Sequence, residues 1–173
     1  MDPVVPGLWV SVDPGKRLCG VAVWRGSQLV RAGLVTTELE GPARWGDLAR
    51  KVAAYAGAPG ETVQHLTVEM MQVYAHDGAA RAADLLDLAA VGGAVAGHLQ
   101  APSILAPLPG TWKGQVPRDV LAEREVRKWG VGDPRIEKPR SKKLLGDVMA
   151  ALALGRWTLG EWGTTPRCSG VKA

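Results

Sequence analysis

With 173 residues, the chain is one domain's worth of sequence, and its 46% hydrophobic and 22% charged content fits a packed globular protein rather than a disordered or fibrous one. Two distant cysteines, Cys19 and Cys168, make neither a disulfide framework nor a zinc pattern. No apolar run reads as a membrane span, and the opening MDPVVPGLWV lacks a basic stretch leading into a leader-like apolar one, so a cytoplasmic protein without a membrane partner is expected.

Residues 8–13 (LWVSVD) alternate: Leu8, Val10 and Val12 share one face, and Trp9, Ser11 and Asp13 share the other. Asp13-Pro14-Gly15 breaks this first strand. Residues 18–24 and 28–34 read as two more strands around a turn at Arg25-Gly26-Ser27, giving a three-stranded meander. Residues 43–56 carry Trp45, Leu48, Val52 and Tyr55 at helical spacing, and residues 66–70 make a fourth strand. A long Ala/Leu/Gly helix is expected over 79–99, a short strand over 103–108, a helix over 117–129 with proline in its first turn, and a last helix over 141–157. A meander followed by alternating strands and helices predicts an α/β fold, a mixed sheet covered by helices. One domain is expected across 1–173, with its core over about 8–157 and a loose tail over 160–173.

Charge is as informative as hydropathy. Residues 113–143 hold ten basic and five acidic side chains, so the whole net excess of +4 belongs to one segment, as suits a polyanionic partner. Against this, three acids occupy apolar settings: Asp13 at the end of the first strand, Glu69 in Leu-Thr-Val-Glu-Met-Met, and Asp147 in Leu-Leu-Gly-Asp-Val-Met-Ala-Ala-Leu. Removing an isolated charge from water costs several kcal/mol unless it is paired or binds a metal. Each acid alone has a structural alternative: a turn at Asp13, an exposed strand face for Glu69, a basic neighbour for Asp147. Taken together, the element order brings all three to one end of the sheet. Clustered carboxylates need cations among them, and their hard oxygens favour Mg²⁺ or Mn²⁺ over zinc. With a basic surface nearby, that chemistry is two-metal phosphodiester hydrolysis.

These residues resemble the RuvC-type Holliday junction resolvases. Val12-Asp13-Pro14-Gly15 followed by Cys19-Gly20-Val21-Ala22-Val23 is similar to the family's opening, and residues 68–74 (VEMMQVY) to its second acidic motif as found in phage-type members. Residues 84–92 resemble a dimer helix, Trp112-Lys113-Gly114-Gln115-Val116-Pro117 a basic loop, and residues 145–157 the closing helix. The resemblance implies a ribonuclease-H-like fold, with a five-stranded sheet made of an antiparallel meander plus two parallel strands. It implies a homodimer, a four-way junction as substrate, and paired symmetric nicks leaving 5′-phosphate and 3′-hydroxyl ends. Asp13, Glu69 and Asp147 would hold two Mg²⁺ ions per site, with Mn²⁺ able to substitute. Tyr74 would stack on an unpaired base, and Lys113 would lie near the scissile phosphate. Arg118, Arg140, Lys142 and Lys143 are the further candidate DNA contacts.

One position departs from the family pattern: the residue three before the last acid, often His or Asp in relatives, is Leu144, which cannot bind a metal. Weaker metal binding than in a four-ligand site is therefore expected. His65, His76 and His98 lack ligand spacing and read as structural or solvated. Other readings are a ribonuclease-H-like nuclease for structured RNA or other branched DNA, a non-catalytic junction-binding module, and an actin- or sugar-kinase-like phosphotransferase. The last needs a second domain for which 173 residues leave no room.

Overall fold

The structure is a computed structural model that describes residues 7–57, 61–72, 78–130 and 132–160, without the side chains of residues 79 and 80. Five strands form one sheet: β1 (Leu8–Pro14), β2 (Leu18–Arg25), β3 (Gln28–Thr36), β4 (Val63–Val68) and β5 (Ser103–Leu105), ordered β3-β2-β1-β4-β5. The first three pair antiparallel, and β1–β4 and β4–β5 pair parallel, as the expected mixed sheet requires. The helices are α1 (Ala43–Ala56), α2 (Ala79–Leu99), α3 (Pro109–Trp112), α4 (Arg118–Trp129) and α5 (Lys142–Thr158).

The alternation read in residues 8–13 sorts the core into two layers. Leu8, Val10 and Val12 join Val21, Val23, Leu66 and Val68 beneath α1 (Leu48, Val52) and α2 (Val91, Val95). Trp9 meets Ala22, Trp24 and Leu29 on the other face, against Val148, Met149 and Leu152 of α5. Trp9 and Trp24 stack with ring centroids 5.3 Å apart. The helix seats itself closely on this layer: a Cβ on Gly155 would lie 2.5 Å from the Trp24 indole. Ser11 donates to the Ala151 carbonyl at 2.7 Å and accepts from Trp24 Nε1 at 3.0 Å, so the polar atoms at this seam are satisfied. Beyond α5, Trp112, Leu121 and Trp157 pack α3 and α4 against it.

Ser141 caps α5, its hydroxyl accepting from the Leu144 amide at 3.3 Å. Glu125 of α4 is fully buried, yet Arg156 of α5 donates to it at 2.7 Å and Trp129 at 3.1 Å. Burial pushes its carboxyl pKa upward, and Arg156 opposes the shift. This pair fastens α4 to α5. At the far edge of the sheet, Ile136 forms a parallel bridge with Ala32 of β3, held by the Ala32 amide on the Arg135 carbonyl and the Glu137 amide on the Ala32 carbonyl, both at 2.8 Å.

Three expectations are corrected. The fourth strand covers Val63–Val68 rather than 66–70, so Glu69 stands just beyond its end rather than inside it. The fifth strand stops at Leu105, because Pro107 and Pro109 lack the amides a longer ladder needs, and Pro109 instead opens the unforeseen helix α3. Residues Arg81–Leu99 of α2 form a 19-residue stretch of hydropathy 1.3, long and apolar enough by length and composition to cross a membrane. Asp84 and Asp87 interrupt the run by eye, but their weight is diluted over the whole helix. In this fold Asp87 pairs with Arg44 of α1 and accepts from Trp45 Nε1 at 3.2 Å, so this side of α2 is committed to the protein. The opposite side is open, with Leu86 72% exposed. The expected tail over 160–173 lies outside the described residues save Gly160.

Candidate functional site

Strands β1 and β4 run parallel and in register, with Val12 opposite Val68, so both chains leave the sheet at the same end. Asp13 and Glu69 follow those paired residues, and the Glu69 amide donates to the Val12 carbonyl at 3.1 Å, fixing the two exits side by side. Asp147 reaches the same region from α5. Its backbone lies on Gly20, the β2 residue directly opposite Asp13, and a Cβ at Gly20 would sit 2.1 Å from the Asp147 carbonyl oxygen. Only glycine permits that approach.

Two cations stand among the three acids. Lys113, at the end of α3, donates to Glu69 at 2.9 and 3.1 Å, and Trp112 Nε1 donates to the same carboxylate at 2.7 Å. The Lys113 ammonium also lies 5.1 Å from the centre of the Trp112 ring. Arg118, the first residue of α4, pairs with Asp147 and packs over Gly146. Asp13 has a carboxyl pushed up to about 7, first by loss of water and next by the Glu69 charge, with Lys113 and Arg118 pulling the other way. Glu69, Lys113 and Arg118, the three charged neighbours that act on Asp13, thus form one electrostatic unit around it.

An oxygen-only donor set of this kind fits a hard divalent ion. Among the described residues, however, no three His, Cys, Asp or Glu side chains are gathered closely enough to hold an ion as they stand. Glu69 is turned to Lys113 and Trp112, and Asp147 to Arg118.

Of the other candidates, Arg140, Lys142 and Lys143 are exposed in the segment that leads into α5 and in its first turn. Arg140 and Lys142 border a cavity of about 260 Å³ between α4 and α5, floored by Val126, Ile136, Leu145 and Met149. Leu144 is half-buried one turn before Asp147. Tyr74 and His76 lie outside the described residues, as do Trp162 and Cys168. His65 is structural: its ring nitrogens sit 2.9 Å from Ser103 Oγ and 2.9 Å from Thr67 Oγ1, and burial lowers its pKa. Cys19 is buried, its thiol pushed up to about 12 by desolvation, which keeps it protonated and inert. The sequence placed Trp112 in a loop motif beside the basic segment, buried by default or meeting DNA, and did not reveal its bond to Glu69. A tryptophan immediately before the basic residue was the available signal, since a buried indole N–H needs an acceptor.

No family model matches the sequence, and no curated protein matches it. The fold does match solved structures. A structure of Thermus thermophilus RuvC in complex with Holliday junction substrate is similar with a TM-score of 0.62 and 18% identity, covering 92% of this chain and 97% of that one. A second Thermus thermophilus RuvC structure is similar with a TM-score of 0.53 and 21% identity, covering 91% and 97%. The chain has a RuvC-like fold.

Proposed function

We propose that the protein is a structure-selective DNA endonuclease that resolves four-way junctions. The observation that carries this reading is the shared exit of β1 and β4, which sets Asp13 close enough to Glu69 that the Glu69 charge helps raise the Asp13 carboxyl's pKa. A fold like that of a protein solved with a Holliday junction supports the choice of substrate. So does the confinement of the net positive charge to residues 113–143, the segment that contains both cations of the site.

Asp13, Glu69 and Asp147 would hold the metal, with Mg²⁺ or Mn²⁺ matching their oxygens. Two bound ions would supply an activated water and stabilise the leaving 3′ oxygen. The protein's own residues supply position. Asp13 and Glu69 are fixed by the strand ladder, and Asp147 by the glycine seat on β2. Lys113 and Arg118 present positive charge where the scissile phosphate would lie, and Arg140, Lys142 and Lys143 extend it along the backbone. Tyr74, four residues from the end of the Glu69-bearing connection, would stack on an unpaired base at the crossover.

Paired, symmetric cuts require two sites related by a two-fold axis. The side of α2 that carries exposed Leu86 together with the small exposed residues Ala83, Gly93 and Gly97 is the surface proposed for that homodimer.

The test is incubation with an immobile four-way junction, a linear duplex and a structured RNA in Mg²⁺. Paired nicks confined to the junction are expected, with 5′-phosphate ends. Preference for the RNA, or junction binding without cutting in either Mg²⁺ or Mn²⁺, would reject the resolvase reading. Leu144→Asp adds a carboxylate one helical turn before Asp147. It is expected to lower the Mg²⁺ concentration needed for half-maximal cleavage several-fold, and an unchanged Mg²⁺ titration would show that the three acids suffice.

A further inference from the structure

We infer that Lys113 and Arg118 are resident counter-ions that occupy the acid cluster of the metal-free protein and must be displaced when divalent ions enter. The inference rests on the nuclease reading above and concerns the same site. Three carboxylates approach one end of the sheet from β1, β4 and α5 without being gathered around a common point as they stand, and like-charge repulsion opposes bringing them closer. The fold answers with two cations delivered from outside the sheet, one from the end of α3 and one from the start of α4. Each takes a separate acid: Lys113 grips both oxygens of Glu69, and Arg118 takes Asp147. Among the described residues no cation is bonded to Asp13, which feels both Lys113 and Arg118 through their charge.

The two contacts are built to open. Lys113 Nζ sits on a flexible stem that is 25% exposed, and the Arg118 side chain is 51% exposed, so each has an open side toward solvent or a phosphate. Neither acid depends wholly on its cation, because Trp112 continues to donate to Glu69 and the α5 backbone continues to hold Asp147. A divalent ion therefore competes with a lysine for Glu69 and with an arginine for Asp147, and the side chains it releases carry positive charge into the space where DNA would lie. Metal binding and phosphate binding are coupled by that exchange.

The experiment measures Mg²⁺ affinity by calorimetry, without DNA, in the full chain and in Arg118→Gln, Lys113→Gln and Lys138→Gln. Lys138 is exposed in the same basic segment and touches none of the three acids, so its variant reports the general loss of one positive charge. Removing either counter-ion is expected to tighten Mg²⁺ binding roughly fivefold, the scale of a partly exposed ion pair. The same two variants should melt lower than wild type in chelator and gain more from added Mg²⁺. Lys138→Gln should change neither quantity appreciably. Equal affinity in all four proteins, the same gain in Lys138→Gln, or weaker binding in Arg118→Gln and Lys113→Gln would each overturn the inference while leaving the nuclease reading standing. Absence of Mg²⁺ binding in every chain, wild type included, would overturn both.

Discussion

Asp13→Asn is expected to bind a four-way junction with near wild-type affinity and to cut it more slowly by on the order of 10³-fold or more, equivalent to about 4 kcal/mol of transition-state stabilisation. The substitution preserves shape and removes a charge that a metal would need. It should also make the metal-free protein harder to melt at pH 8. The Asp13 carboxyl is pushed up to about 7 from an ordinary value of 3.8, so the folded protein retains this proton where the unfolded chain has lost it. Folding is therefore weakened as pH rises from about 4 to 7, and asparagine, uncharged throughout, escapes that loss. The advantage of the variant in chelator should shrink as pH falls below about 7 and vanish near pH 4. Gel-shift, cleavage and thermal-melting measurements on one preparation check all three statements. A variant that cuts at the wild-type rate, or one that is less stable than wild type at pH 8, would contradict the role given to Asp13.

Gly20→Ala should be among the most damaging single-methyl additions the fold can receive. The new Cβ would meet the Asp147 carbonyl oxygen at 2.1 Å, and because the obstacle is backbone rather than a side-chain tip, α5 as a whole must back away from β2. Overpacking of this kind costs about 3 kcal/mol or more, a fall of roughly 6–12 °C in melting temperature for a chain of this size. The displacement also moves Asp147 away from Asp13, so cleavage by the fraction that remains folded should drop as well. A melting temperature within about 2 °C of wild type, a change under about 1 kcal/mol, would mean that α5 is not seated on Gly20 as described.

Much of this architecture was legible because burial imposes a period. The alternation of Leu8, Val10 and Val12 against Trp9, Ser11 and Asp13 survives as the division between two core layers, and α1 and α2 have the bounds that their helical spacing predicts. Boundaries failed where a proline or a chain exit, rather than hydropathy, ends an element: β4 stops before Glu69, and β5 stops short of the prolines that start α3. The acids were conspicuous because each interrupts an apolar run. Glu125, in a more polar helix, did not stand out, although it is more deeply buried than any of the three. What separates it from them is its partner: Arg156 neutralises Glu125 inside the α4–α5 seam, and no period along the chain announces a salt bridge between residues 31 positions apart. The pairing of Glu69 with Lys113 and of Asp147 with Arg118 was hidden for the same reason. Apolar settings marked the two acids, and the two cations were candidate DNA contacts, Lys113 through the family resemblance, but which acid each cation would hold depends on how α3 and α4 cross the sheet.

The strand of protein that carries Ile136 has an effect reaching beyond its own chain. Its single parallel bridge, at Ala32, occupies the middle of β3 at the outer rim of the meander, while the opposite rim among the described residues, β5, offers only three residues. Among the described residues, each border of the sheet is therefore either interrupted or short, which makes it a poor template for another molecule's backbone.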